Sequence, residues 1–222
     1  MKTHSVVANH SDWVVVDKEA GVLSVPPRFP DKDSRPILGR LLETELQCRL
    51  FPVHRLDYEV SGLLIFAKNP ETQKRLSQCF ESRRAQKTYE ALVASPPSSG
   101  PSTWENKIVR GKKRSFYAPH GQDSVTLLRS VTQVPKTSFW KLLLEPKTGR
   151  PHQLRLDCSQ NLSPIVGDQL YGSTMNLQGN AIALRAVRLE LPDLSTTVFE
   201  VPSGIPQWLE RLRESSPRAF FE

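Results

Sequence analysis

The pattern of apolar and polar residues changes along the chain between one typical of strands and one typical of helices. These changes predict strands and helices in mixed order. Residues 62–68 are an almost continuous apolar run of strand length, which favours a strand buried on both faces over a helix. Residues 71–84 follow Asn69 and Pro70, a capping residue and a residue suited to the first helical position. We therefore expect a buried strand that leads directly into an amphipathic helix.

The other predicted elements are short and are separated by turn-forming residues. Further strands are expected at residues 13–17, 87–94, 103–110, 124–134 and 138–145, with apolar segments at 182–191 and 196–201. Further helices are expected at residues 37–46, at 151–160 and from Pro206 onward, with a polar, proline-rich surface segment at 26–36 and a loop at 95–102. This order predicts an α+β fold, with a single domain over residues 1–222 and a mixed, mostly antiparallel sheet flanked by helices and loops.

The composition excludes several classes of protein. A chain of 222 residues with 38% hydrophobic and 24% charged residues can bury a sizeable core, so disorder is not its default state. No apolar run approaches the ~20 residues of a membrane-spanning helix, and the first residues lack a signal peptide, so we expect a cytoplasmic protein without a membrane partner. Three widely spaced cysteines fit neither a disulfide framework nor a metal site, and are expected to be small buried hydrophobes. We expect a monomer.

The basic residues are concentrated in the middle of the chain. Lysine and arginine outnumber aspartate and glutamate by 30 to 23, and residues 101–160 alone carry 11 basic and 4 acidic side chains. Residues 51–100 carry 7 and 5, whereas the two ends of the chain have no basic excess. This distribution favours a surface that binds a polyanion, with a solvated lysine-rich loop as the alternative.

Two dense polar segments could carry chemistry. Residues 53–62 place Asp57 and Ser61 at the entrance of the buried strand, where polar groups are costly to desolvate without partners. Residues 146–155 run from a glycine turn into a predicted helix, on which His152 and Arg155 would share a face. Each segment also has a purely structural interpretation, as a turn in the first case and as a satisfied histidine with a surface arginine in the second.

The residues in these segments exclude some mechanisms. Asp57 has no obvious second carboxylate, which a glycosidase of the usual kind requires. No Ser-His-Asp arrangement, metal-ligand cluster or glycine-rich nucleotide motif is present in the sequence, so we expect neither a metal nor a nucleotide cofactor.

An ordered set of motifs resembles the RluA family of RNA pseudouridine synthases. The main match is His54-Arg55-Leu56-Asp57 followed by residues 61–68, with Lys87-Thr88-Tyr89 downstream. The set also includes Asp17-Lys18 through Gly21, residues 91–93, Lys147-Thr148-Gly149-Arg150, His152-Gln153-Leu154-Arg155, Pro164-Ile165-Val166-Gly167-Asp168 and Tyr171-Gly172. The matches follow the family's order and cover roughly residues 13–192.

The resemblance implies a cofactor-independent isomerase that converts uridines of rRNA or tRNA to pseudouridine within the family's α+β fold. It implies that Asp57 is the catalytic residue and that Arg155 is its ion-pair partner. Whether Asp57 attacks C1′ or removes a proton from C2′ stays open, since both roles need an ionised carboxylate. By the same resemblance Tyr89 stacks on the target base and can take part in removing the proton from C5.

The resemblance also implies that the target uridine leaves the helical stack and that Arg55 takes its place. Basic residues are then expected to hold the RNA phosphates. The expected RNA contacts are Arg55, His54, Arg83, Arg84, Lys87, Lys112, Lys113, Arg114, Arg150 and His152.

The chain departs from the family pattern at four positions. Val60 stands where the family usually has threonine, and Pro151 stands where it commonly has threonine or serine. Asp157 stands where the family has histidine, and Arg185 stands where it often has histidine. We expect these departures to change the substrate rather than to remove the activity. We expect no separate N-terminal RNA-binding domain of the S4 type. The alternatives are a non-catalytic RNA-binding or RNA-folding protein of the same fold and, ranked lowest, an enzyme that hydrolyses the glycosidic bond of a nucleoside.

Overall fold

A computed structural model describes residues 3–27, 33–95, 102–194 and 197–215. Contacts between residues divide the chain into two compact units. Unit 1 comprises Met1–Gln86 and Ala186–Pro202, and unit 2 comprises Lys87–Arg185 and Ser203–Glu222. The prediction of a single catalytic domain over the whole chain stays a prediction.

Unit 1 is built on antiparallel strands. Its elements are β1 (His4–Asn9), β2 (Trp13–Lys18), α1 (Leu38–Leu46), β3 (Phe51–Pro52), β4 (Ser61–Ala67) and α2 (Pro70–Glu81). Strand β2 pairs with β1 on one side and with β4 on the other, and β3 pairs with the end of β4. Near the end of the chain, β10 (Leu184–Glu190) pairs with β11 (Val198–Glu200).

Strand β4 is buried along its whole length, as its unbroken apolar sequence predicts. It lies beside the equally buried Val14, Val15 and Val16 of β2. Helix α2 begins as expected, because the Asn69 side chain accepts a hydrogen bond of 2.8 Å from the Thr72 amide and Pro70 occupies the first turn.

The predicted end of this helix at residue 84 is wrong, since α2 ends at Glu81. Arg83 adopts a left-handed backbone conformation with φ of 60°, and the amides of Arg84 and Ala85 both donate to the Cys79 carbonyl. This turn satisfies the last carbonyls of the helix and redirects the chain into the next strand. Arg83 and Arg84 therefore lie on an exposed turn and not on the final helical turn.

Unit 2 contains a second set of antiparallel strands. Its elements are β5 (Gln86–Val93), β6 (Ser102–Arg110), β7 (Ser115–Tyr117), β8 (Gln122–Gln133), β9 (Trp140–Pro146), α3 (Gln153–Asn161) and α4 (Ile205–Ser215). They pair in the order β5-β9-β8-β6-β7. The helix predicted to open at Pro151 begins instead at Gln153, because His152 is left-handed with φ of 54°. His152 therefore occupies the N-cap position before α3 and does not share a helical face with Arg155.

The described elements confirm the predicted α+β class. The sequence does not predict strands β1, β3 and β7, since β1 has no strong apolar signal and β3 and β7 are only two and three residues long. Cys79 and Cys158 are buried as expected, whereas Cys48 is only half-buried. Among the described residues, no helix is long and apolar enough to cross a membrane.

Gly62 provides a test of the packing in unit 1. Its φ is 112°, and a Cβ on this residue would lie less than 3.0 Å from the backbone of Ala186. We expect Gly62→Ala to lower the free energy of unfolding by about 3 kcal/mol, as the sum of backbone strain and overpacking. Gly179→Ala is a matched control, since Gly179 also has a positive φ but would place its Cβ in open space. Equal losses in urea-induced unfolding would contradict the packing interpretation.

Candidate active site

The loop that carries Asp57 is fixed at its middle residue. The buried Leu56 exchanges two hydrogen bonds with the Ser24 hydroxyl, which accepts from the Leu56 amide (3.1 Å) and donates to the Leu56 carbonyl (2.8 Å). The residues on either side of Leu56 are less buried: Arg55 is exposed and Asp57 is half-buried. The loop thus presents a cation and a carboxylate from a backbone that is held in place.

A buried lysine lies beneath this loop. The Lys18 side chain is completely buried, and its Nζ donates to the carbonyls of Glu19 and Val22 at 2.9 Å and to that of Tyr58 at 3.5 Å. Burial lowers the pKa of Lys18 to about 7, while the negative charges of Asp57, Glu59 and Glu19 act in the opposite direction. Lys18 is therefore a buried, titratable cation that interacts electrostatically with Asp57. The sequence marked it only as part of a matching motif.

His54 connects the same loop to the neighbouring helix and strand. Its ring stacks on Phe80 of α2 with a centroid distance of 4.4 Å, and its Nε2 accepts from the Ile65 amide at 3.3 Å. The acceptor role of Nε2 places the ring hydrogen on Nδ1. These contacts give His54 a structural role, and its predicted contact with RNA stays a prediction.

In unit 2, Arg155 forms a buried ion pair with Asp168. Its Nε and Nη2 donate to the two carboxylate oxygens at 2.7 and 2.8 Å, and the two side chains are 2% and 1% exposed. The guanidinium carbon also lies 5.4 Å from the centre of the Tyr171 ring. The pairing of Arg155 with Asp57 that the family resemblance implies stays a prediction, and Asp168 lies in one of the matching motifs without a role assigned to it from the sequence.

Polar residues around α3 form a second buried network. The Asp157 carboxylate accepts hydrogen bonds of 2.6 Å from both the Tyr117 and the Thr126 hydroxyls. Burial raises the pKa of Asp157, and the two hydrogen bonds oppose that shift. The side chain of Gln153 bonds to Thr126 and Thr148, which joins α3 to strand β8 and to the loop before the helix. The aspartate that replaces the family's histidine thus has two built-in donors.

His152 bridges two other residues of unit 2. Its Nε2 lies 3.3 Å from Nη1 of Arg110 and its Nδ1 lies 3.1 Å from the Tyr171 hydroxyl. Because an arginine can only donate, Nε2 is the acceptor and the proton of the neutral ring is on Nδ1. Arg150 is also engaged, donating to the Asp123 carbonyl and to the Gln122 side chain. The RNA contacts predicted for His152 and Arg150 are not tested by these bonds.

Strand β5 carries Lys87 and Tyr89. Tyr89 is 9% exposed and pairs with Leu144 of β9. Lys87 is half-buried, and burial together with the charge of Lys147 lowers its pKa. The repulsion between the positive charges of Lys87 and Lys147 makes this position favourable for an anion such as phosphate.

The remaining predicted RNA contacts lie on exposed turns. Lys112, Lys113 and Arg114 are exposed between β6 and β7. Arg83 is exposed after α2, and Arg84 forms an ion pair with Asp193. Across the described ranges, no group of three or more His, Cys, Asp or Glu side chains could hold a metal ion.

Comparison with known proteins identifies the class. The sequence model of the RNA pseudouridylate synthase family matches residues 12–160. The chain therefore belongs to this family and is an isomerase that acts on RNA. Within the family it is of the RluA type, as its motifs indicate.

Individual relatives agree with this assignment. The chain is 31% identical to tRNA pseudouridine synthase C of Vibrio vulnificus (strain CMCP6) over 75% of its own length and 73% of the relative's. It is 32% identical to ribosomal large subunit pseudouridine synthase D of Borreliella burgdorferi, over 84% of its length and 60% of the relative's. Among solved structures, human RNA Pseudouridylate Synthase Domain Containing 1 matches with a TM-score of 0.73 and 27% identity, covering 90% of this chain and 84% of that one.

Because burial lowers the pKa of Lys18 in the folded protein, the free energy of unfolding should depend on pH. Between pH 7 and 10.5 the unfolded chain keeps the Lys18 proton while the folded chain releases it, so the free energy of unfolding should rise with pH across this window. This contribution should reach about 1.4 kcal/mol per pH unit. In Lys18→Met it should vanish, whereas Lys74→Met, which alters an exposed lysine of α2, should keep the wild-type slope. Urea unfolding at several pH values measures this, and a wild-type slope in Lys18→Met would contradict it.

The ion pair in unit 2 can be tested by removing one or both charges. Asp168→Asn should destabilise the protein by about 3–5 kcal/mol, because the buried Arg155 loses the charge of the carboxylate that binds its Nε and Nη2. The double variant Arg155→Met/Asp168→Leu should recover much of this loss. Thermal unfolding would measure both effects, and a double variant less stable than Asp168→Asn would show that the pair contributes more than charge balance.

Proposed function

We propose that this chain isomerises uridines of tRNA or rRNA to pseudouridine, with Asp57 as the catalytic residue. The observation that carries the proposal is the family match over residues 12–160, which includes the Asp57 loop. Relatives named for tRNA and for ribosomal RNA support the two substrate classes.

In the proposed reaction the N1–C1′ bond of a uridine breaks, the uracil turns, and C5 bonds to C1′. C5 then loses its proton and N1 gains one, so substrate and product have the same composition and no external oxidant or reductant is needed. Asp57 acts either on C1′ as a nucleophile or on C2′ as a base, and both roles use the carboxylate. The uridine must leave the helical stack, which costs a few kcal/mol. Arg55 is proposed to occupy the vacated position.

The setting of the Asp57 loop supports this role. Catalysis gains most from a group that is already positioned, and the two hydrogen bonds between Leu56 and Ser24 fix the backbone next to Asp57. Arg55 precedes the buried Leu56 and is exposed, and insertion into RNA requires such an exposed side chain. Lys18, with its pKa of about 7, supplies a buried positive charge near Asp57 when it is protonated.

We propose Arg155 as the ion-pair partner of Asp57 and Tyr89 as the residue that stacks on the uracil, following the family resemblance. Asp168 accepts hydrogen bonds from Nε and Nη2 of Arg155, so this buried pair fixes the orientation of the guanidinium. An arginine oriented by one carboxylate can then bind a second one at a defined angle.

RNA affinity is proposed to come from the cations of the middle segment. Burial and the charge of Lys147 lower the pKa of Lys87, and a bound phosphate would relieve the repulsion between these two cations. The exposed Lys112, Lys113 and Arg114 would add contacts to the phosphate backbone without reading its sequence.

The decisive experiment uses tRNA and rRNA from a strain that lacks the gene. We expect the wild-type protein to release tritium from C5-labelled uridine and to form pseudouridine, and Asp57→Asn to form none while it still binds the same RNA. Glu59→Gln, which alters a carboxylate in the same turn, is the matched control and should retain activity. Absence of product with every cellular RNA would refute the proposal, release of free uracil would show hydrolysis instead, and activity in Asp57→Asn would remove Asp57 from the mechanism.

A further inference from the structure

The hairpin formed by β6 and β7 exposes an aromatic side chain among cations. Phe116 is 44% exposed, which is the highest exposed fraction of any large hydrophobic side chain among the described residues. Its neighbours Ser115 and Tyr117 point the other way, since Ser115 is buried and Tyr117 packs against the core. The exposed cations of this hairpin are Arg110, Lys112, Lys113 and Arg114.

The Phe116 ring lies against the backbone of the turn. A Cβ on Gly111 would approach the Cε1 atom of this ring to 3.1 Å, so the glycine leaves the space that the ring occupies. The turn itself is closed by a hydrogen bond of 3.0 Å from the Gly111 amide to the Arg114 carbonyl. One edge of the ring is thus covered by the turn, while much of its surface faces solvent.

The hairpin is also fixed to the residues around α3. The Ser115 amide donates to the Tyr171 hydroxyl at 2.8 Å, and the Ser115 hydroxyl donates to the Pro151 carbonyl at 2.7 Å. Arg110 donates to the Lys113 carbonyl and to His152, both at 3.3 Å. The aromatic ring is therefore carried by a supported element, which lowers the entropic cost of using it for binding.

We propose that Phe116 is a stacking platform for an unpaired base of the substrate RNA, other than the target uridine, and that Lys112, Lys113 and Arg114 hold the adjacent phosphates. An exposed aromatic ring bordered by cations matches the two chemical features of single-stranded RNA, a flat base and a charged backbone. An acidic protein segment would satisfy the cations but offers no base to the ring. This inference rests on the proposed function only in that RNA is the substrate.

Binding can be measured in the Asp57→Asn background, which separates it from turnover. The probes are a stem-loop RNA with a single 2-aminopurine in its loop and a fully paired duplex of the same length. Phe116→Ala should raise the Kd for the stem-loop about tenfold and abolish the fluorescence quenching of 2-aminopurine, because stacking on the ring is lost. The Kd for the duplex should change little, since its bases are not available to stack. Phe116→Trp should retain tight binding.

Two controls separate stacking from charge and from general surface effects. Leu170→Ala removes another exposed apolar side chain of unit 2 and should leave both Kd values unchanged. Phe116→Ala should leave the slope of log Kd against log salt concentration unchanged, because it removes no phosphate contact. Combined alanine substitutions at Lys112, Lys113 and Arg114 should reduce that slope by about 2.

The inference is overturned if Phe116→Ala binds the stem-loop like the parent protein, if the duplex loses affinity equally, or if polyglutamate competes as strongly as RNA. It is also overturned if the Asp57→Asn protein does not bind the stem-loop. None of these results bears on pseudouridine formation by the wild-type protein. Conversely, if the wild-type protein forms no pseudouridine while Phe116→Ala still weakens binding of the stem-loop, the proposed function is refuted and the stacking platform stands.

Discussion

The buried ion pair between Arg155 and Asp168 is the interaction on which the second unit depends. Two charges that are almost completely removed from water are tolerable only when each satisfies the other, and the two bonds to the carboxylate oxygens do so. The pair joins helix α3 to the segment that carries Tyr171. Tyr171 in turn accepts a hydrogen bond from Ser115 and lies beside His152, so the position of the β6–β7 hairpin follows from the same pair.

The first unit uses a related device on a smaller scale. The completely buried Nζ of Lys18 is held by the backbone carbonyls of Glu19 and Val22 and by that of Tyr58, which follows Asp57 in the loop. The loop also exchanges two hydrogen bonds with the Ser24 hydroxyl, and its His54 ring stacks on Phe80. In both units, therefore, polar side chains that could be read as surface features serve to fix the backbone next to the residues proposed to act on RNA. Their burial makes them rigid supports, because moving any of them would leave an unsatisfied polar group.

The sequence predicted best where one local signal dominated. Strand β4 has an unbroken apolar sequence, and the start of α2 has both a capping side chain and a proline. It failed where the deciding contact was distant or the backbone conformation unusual. His152 and Arg83 adopt left-handed conformations without being glycine, which no local preference indicates. Because of these conformations, α3 begins after His152 and α2 ends before Arg83, and both boundaries differ from the predicted ones.

The sequence by itself determined the α+β class, the family, and the identity of the residues proposed for catalysis, since the ordered motifs and the apolar periodicity are both written in residue types. Only the tertiary structure decided which of those residues are held and by what: that Asp168 binds Arg155, that Lys18 is buried beneath the Asp57 loop, that Asp157 has two hydroxyl donors, and that Phe116 is exposed. The physical reason is that partner choice and burial arise from residues far apart in the chain. The periodicity of apolar residues reflects only residues that are close in the chain, and composition contains no information on contacts between particular residues.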